Sequence, residues 1–156
     1  LNLDFGWKGL RLSMLFQGVG KTDGYLNTYY VMPSNQGGTF RKEHIDFACA
    51  ANPGGVTPRL TSANKNNWYD SSFWMKSAAY LRLKNIQLGY SFGDRILKKI
   101  RLKALRVFMN IDNLATWSHN TGYTPEIGGT ALAFGIDTGD TYPMPTTITF
   151  GVNVSF

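Results

Sequence analysis

Residues 146–156 alternate strictly. Ile148, Phe150, Val152, Val154 and Phe156 fall on one face of an extended chain, and Thr147, Thr149, Gly151, Asn153 and Ser155 on the other. Such a run matches the ~9–11 residues with which a tilted strand crosses a bilayer. A soluble sandwich can also finish on such a strand, so this segment alone leaves both architectures open. The same period fills residues 1–7, where Leu1, Leu3, Phe5 and Trp7 alternate with Asn2, Asp4 and Gly6. It returns in residues 10–17, where Leu10, Leu12, Met14 and Phe16 alternate with Arg11, Ser13 and Gln17. Lys8-Gly9 between them predicts a tight hairpin. Asp4 and Arg11 on the second face require water there, which favours a wet lumen over a packed sandwich core.

A third run, 80–92, changes parity: Leu81 and Leu83 lie on one side, then Ile86, Leu88, Tyr90 and Phe92 on the other. The switch at Lys84-Asn85 predicts a bulge, because a one-residue offset turns every later side chain over. In 93–101, Ile96, Leu97 and Ile100 sit at helical spacing opposite Arg95, Lys98 and Lys99, predicting one short amphipathic helical turn. Residues 104–114 give a fourth strand, with Leu105, Val107, Met109 and Ile111 alternating with Arg106, Phe108, Asn110 and Asp112. Two long Gly- and Pro-punctuated stretches, 18–79 and 115–145, have no sustained period and read as loops. A short strand is expected near 24–31. If the last strand ends on the short-turn side, both long loops fall on the opposite side, the asymmetry of outer-membrane barrels. The expected class is therefore all-β, with five antiparallel strands. Five strands cannot close a bacterial barrel of even count, so the chain is expected to be part of a longer one.

Composition narrows the function. No run approaches the ~20 apolar residues of a membrane helix, and the amino terminus does not read as a signal peptide. The net charge of +6 raises nucleic acid as a partner. The cations are dispersed, however, apart from the cluster Arg95, Lys98, Lys99, Arg101, Lys103 and Arg106, and no aromatic stacking platform accompanies them. No nucleic-acid partner is expected. The single Cys49 forms no intrachain disulfide. Gly18-Val19-Gly20-Lys21-Thr22 imitates the end of a phosphate loop, but Leu15 stands where glycine is needed and no helix is expected to follow. His44 and His119 stand alone in loops, and Glu126, Asp137 and Asp140 read as loose acidic residues, so neither a metal nor a calcium site is expected. No cofactor and no catalysis are expected either.

At this point the chain resembles a known family. Tyr80-Leu81-Arg82-Leu83-Lys84-Asn85 continuing to Leu88-Gly89-Tyr90 is similar to a stretch of SusC/RagA-type TonB-dependent outer-membrane transporters. So are Leu105-Arg106-Val107-Phe108 leading to Asn113-Leu114, Gly122-Tyr123-Thr124-Pro125-Glu126, and the ending from Tyr142-Pro143 to Phe156. Trp7-Lys8-Gly9, Leu12-Ser13 and Phe16-Gln17-Gly18 match the preceding hairpin of that family. Thr124 departs from it, since aspartate is common there. The resemblance implies the C-terminal strands of a large, 22-stranded antiparallel transmembrane β-barrel in the bacterial outer membrane. It implies TonB-dependent import of glycans or peptides with a SusD-type surface lipoprotein. The plug and the TonB-contacting segment would precede Leu1. Phe156 resembles the signal read by the barrel-assembly machinery.

The candidate residues follow from this frame. Trp68, Tyr69, Trp74, Trp117 and Tyr123 are candidates to grip a sugar ring or peptide, against the plainer reading that they pack the loops or form an interfacial girdle. Arg11, Asn110, Asp112, Thr149 and Asn153 are lumen-facing candidates. Ile148, Phe150, Val152, Val154 and Phe156 are expected to face lipid. Two rival readings stand beside import of glycans or peptides. One is a secreted β-sandwich carbohydrate-binding module using the loop tryptophans, and the other a siderophore or cobalamin receptor of related architecture.

Overall fold

The structure is a computed structural model, which describes residues 1–33, 39–61, 66–120, 122, 124–126 and 135–156, with the side chain of Glu43 left aside. The chain divides into two compact units. The first holds residues 1–20, 80–118 and 144–156, and the second 21–79 and 119–143.

The first unit is a five-stranded antiparallel sheet. Its strands are β1 (Asn2–Trp7), β2 (Leu10–Val19), β5 (Tyr80–Ser91), β6 (Ala104–Ser118) and β8 (Thr147–Ser155), in the spatial order β1-β2-β5-β6-β8. The register carries the period-two pattern across every strand. Phe5 pairs with Leu12, Leu12 with Leu88, Leu88 with Met109 and Met109 with Phe150. These pairs place one continuous apolar face over the whole sheet. On the reverse face Asp4 pairs with Ser13, Ser13 with Gln87, Gln87 with Asn110 and Asn110 with Thr149. The apolar face is open: Trp7 is 70% exposed, Phe150 75% and Phe156 81%.

Local chemistry explains the turns. Lys8 and Gly9 both take positive φ, 44° and 90°, the backbone twist that a two-residue hairpin needs. A Cβ on Gly9 would stand 2.6 Å from the Ser91 carbonyl oxygen. Gly9→Val should therefore lower stability by about 2–3 kcal/mol from strain and clash together. Gly20→Val, with nothing within 4 Å, should change little. The urea midpoint of the full-length parent reads both.

The bulge expected at Lys84-Asn85 is present. Leu83 pairs with Phe16 and Asn85 with Leu15, leaving Lys84 unmatched. The same offset appears against β6, where Leu83 pairs with Ala115 and Asn85 with Asp112. Asn113 absorbs the offset with φ 53°, a left-handed conformation that asparagine tolerates. For this reason β6 does not stop near residue 114. The ladder resumes past the irregularity and runs to Ser118, so Trp117 is a strand residue opposite Leu81 rather than a loop residue. The helical turn after β5 is also present, as α1 (Asp94–Ile100), closed by Arg101 in a left-handed cap. No described helix is long and apolar enough to cross a membrane, which says nothing of strands.

The second unit corrects the picture of two unstructured loops. Strand β3 (Asp23–Leu26) pairs antiparallel with β4 (Met75–Ser77) and parallel with β7 (Ile136–Asp137). The strand expected near 24–31 thus begins a separate sheet and joins the two long segments. Short 3-10 turns lie at Lys42–Asp46, Asn66–Trp68 and Ser72–Trp74. Leu26, Tyr30, Val31 and Trp74 form a buried core, with Tyr25, Met32 and Trp68 packed against it. These aromatics and aliphatics have no sustained period because they come from a short strand and from separate turns, so the pattern that reveals long strands cannot reveal them.

Candidate functional site

The polar face of the sheet is a hydrogen-bonded surface. Asn85 Nδ2 donates to Asn110 Oδ1 at 2.8 Å and to Asp112 Oδ1 at 2.7 Å, and Asn110 Nδ2 donates to Asp112 Oδ2 at 2.9 Å. These contacts hold one carboxylate on an otherwise amide-lined strip. Arg106 Nη2 reaches Gln87 Oε1 at 3.2 Å, its guanidinium lying over Gly89, where a Cβ would meet it at 3.0 Å. The absent side chain at Gly89 is thus what lets Arg106 lie flat. Farther along, Lys84 Nζ donates to Gln17 Oε1 at 2.5 Å, and Gln17 Nε2 donates to the Tyr80 hydroxyl at 3.1 Å. Arg82, only 2% exposed, donates from Nε to Thr116 Oγ1 at 3.0 Å. Arg11, Asn110, Asp112, Thr149 and Asn153 all take places on this face: Asn110 opposes Thr149, Arg106 opposes Asn153, and Arg11 opposes Gly89. Ile148, Phe150, Val152 and Val154 lie on the other, with Phe156 just beyond the strand end.

The loop unit is organised around Tyr30, a residue that the sequence pattern does not single out. Its hydroxyl donates to Asp137 Oδ2 at 2.9 Å, and Asp137 Oδ1 accepts the Gly139 amide at 2.9 Å. The Arg41 guanidinium lies 4.1 Å from the Tyr30 ring centre and donates from Nη2 to the Gly139 carbonyl at 2.6 Å. His44 completes the group. Its Nδ1 accepts the Arg41 amide at 2.9 Å, so Nε2 must carry the proton that faces the Tyr30 carbonyl at 2.9 Å. His44 and Asp137 are therefore neither isolated nor loose. Both are buried, and each is held by groups far away in sequence. Only spatial proximity reveals this, since no spacing within either loop encodes it. Tyr25 donates to Asp70 Oδ1 at 2.9 Å, and burial first, then that bond, raises the phenol above its ordinary value.

The loop aromatics separate. Trp68 and Trp74 line one cavity of about 240 Å³ together with Tyr30, His44 and Phe40. Trp74 is buried and meets Phe73 edge-on at 4.9 Å, while Lys76 Nζ sits 4.8 Å from the Phe73 ring centre. Tyr69 is exposed. Trp117 stands on the apolar face of the sheet and does not line this cavity. Tyr123 lies outside the described residues. Among the described residues no three of His, Cys, Asp and Glu gather in a way that could hold a metal ion.

No family model matches the chain. Three proteins of Formosa agariphila do. TonB-dependent receptor P39 is 32% identical over 97% of the chain and 15% of its own length. TonB-dependent receptor P3 is 24% identical over 99% and 16%, and TonB-dependent receptor P26 is 28% identical over 96% and 16%. The chain is thus similar to TonB-dependent receptors along nearly its whole length. Solved structures share its fold. A chain of the RagAB peptide importer in the open-open state superposes with a TM-score of 0.72 at 24% identity, over 96% of this chain and 16% of that one. The RagAB peptide transporter gives 0.70 at 24% identity, over 97% and 16%. The chain thus spans about one sixth of the length of the TonB-dependent receptors and RagAB chains it matches.

Proposed function

We propose that this chain is a SusC/RagA-type segment, part of an outer-membrane β-barrel that imports glycans or peptides in a TonB-dependent way, together with a SusD-type surface lipoprotein. One observation carries the reading: a sheet whose open face is apolar across all five strands while its reverse face is largely polar, with several separate groups of hydrogen-bonded side chains. In water such a face is an aggregation surface. In hydrocarbon it is the correct solvent contact, and the reverse face becomes the wall of a wet lumen. A β-sandwich module would need a second sheet over the apolar face, and the exposure of Trp7, Phe150 and Phe156 speaks against one.

The folded loop unit supports a role in contacting solute or lipoprotein, since a rigid surface does so at less entropy cost than two floppy loops. RagAB is a peptide importer, and its likeness to this chain supports the import architecture, with glycans kept beside peptides as cargo. The test is made on the full-length parent. It should need detergent for extraction, migrate differently on a gel with and without heating, and take up labelled oligosaccharide or oligopeptide only while the inner membrane is energised. A freely soluble parent that shows no heat shift would overturn the proposal. Uptake of iron chelates alone would replace the cargo class.

A further inference from the structure

The short-turn end of the sheet carries chemistry that the import reading does not use. We propose that α1 and its flanks are a docking surface for the anionic phospholipid headgroups of the leaflet nearest the short turns. This rests on the barrel reading above.

Arg95, Lys98, Lys99, Arg101 and Lys103 are all exposed, and they crowd into one helix and its exit. Asp94 is the only acid of α1, at its first residue. The helix buries Leu97 alone, leaving Ile96 44% and Ile100 46% exposed. Ile96 and Ile100 are one helical turn apart and share a stripe, with Arg95 and Lys99 on the adjoining one. Two open isoleucines beside a cationic stripe suit an interface that is greasy on one side and anionic on the other.

Position supplies the second argument. The Ser91 amide donates to the Gly9 carbonyl at 2.8 Å, and the Lys103 amide to the Ser155 carbonyl at 2.8 Å. The β1–β2 turn, α1 and the end of β8 therefore sit at one end of the sheet. That end also carries aromatics: Trp7 with Lys8 Nζ 5.2 Å from its ring centre, the edge-on pair Tyr90 and Phe92 at 5.0 Å, and Phe156. Toward this end the apolar face passes into amphipathic rings and then into cations. A bilayer shows the same order from acyl chain to glycerol to phosphate. An acidic protein would match the charge but not the aromatic band beneath it, so the lipid is the better occupant.

The experiment uses the full-length parent, reconstituted in phosphatidylethanolamine bilayers containing spin-labelled phosphatidylglycerol or spin-labelled phosphatidylethanolamine. Electron paramagnetic resonance reads which lipid is held at the protein surface. At low salt, phosphatidylglycerol should be held about fivefold or more strongly, and high salt should erase the difference. The variant R95Q/K98Q/K99Q/R101Q/K103Q should lose most of the preference, and R95K/K98R/K99R/R101K/K103R should keep it. The heat shift of each variant reports folding separately, so a folded barrel without lipid preference overturns this proposal and leaves the import reading standing. A preference unaltered in the glutamine variant overturns it as well. So does capture of an acidic protein with no lipid preference. If the glutamine variant does not fold, the salt dependence of the unaltered protein still decides.

Discussion

Val152→Arg should destabilise the folded parent by about 2–4 kcal/mol, while Thr149→Arg should leave it nearly unchanged. Both residues lie near the middle of β8, on opposite faces. Val152 opposes Val107 within the apolar face; Thr149 opposes Asn110 on the polar one. Val152 is already open in the chain, at 61% exposure. Were that face in water, an arginine there would be an ordinary surface change, within about 0.5 kcal/mol of neutral. In hydrocarbon the guanidinium must be desolvated or drag water inward, and the cost peaks where the strand is deepest. The contrast between the two positions therefore reports the solvent of each face, independently of any transport assay. Urea titration of the parent folded into phospholipid vesicles, followed by the heat-shifted band, measures it. Equal small effects at the two positions would remove the membrane reading. A larger loss at Thr149 would mean that the polar face is the buried one.

The strands were legible because their solvent contrast has a period, and a period survives in sequence. The turn at Lys8-Gly9, the parity switch at Lys84-Asn85 and the helical spacing of Ile96, Leu97 and Ile100 are all local signals, and each has its counterpart in the structure. The continuation of β6 beyond Asn113 was hidden because a left-handed asparagine looks like the end of a strand while serving as a hinge within one. The loop unit was hidden for a deeper reason. Its contacts join residues as far apart as Tyr30 and Asp137, or Arg41 and Gly139, and neither partner has a local pattern that announces the other. Trp74 shows the same limit. Its residue type suits a ligand platform and a core equally well, and only its neighbours Leu26, Tyr30 and Val31 place it in the core.

Tyr30→Ala should loosen the loop unit by about 3–5 kcal/mol, the range for deleting a buried aromatic. The reason lies in how many separate segments converge on one side chain. The ring is 4% exposed and supports the Arg41 guanidinium on its face. Its hydroxyl supplies one of the two donors seen on the Asp137 carboxylate, which is itself 3% exposed. Removing the ring therefore opens a cavity and also strips a donor from a buried charge, and the second loss does not relax by repacking. Tyr30→Phe keeps the ring and loses only the hydroxyl, so about 1–2 kcal/mol is expected. Hydrogen exchange on the full-length parent separates these cases. In Tyr30→Ala the amides of Tyr25, Asn27 and Tyr29, which donate to Gly135, Asp137 and Thr138, should exchange about two to four orders of magnitude faster. Amides in the ladder between β2 and β5 should keep their rates, because that ladder belongs to the other compact unit. Unchanged exchange at Tyr25, Asn27 and Tyr29 would show that the parallel pairing of β3 with β7 stands without this tyrosine. Faster exchange across both units would show that the loops and the sheet unfold together rather than as separate cooperative units.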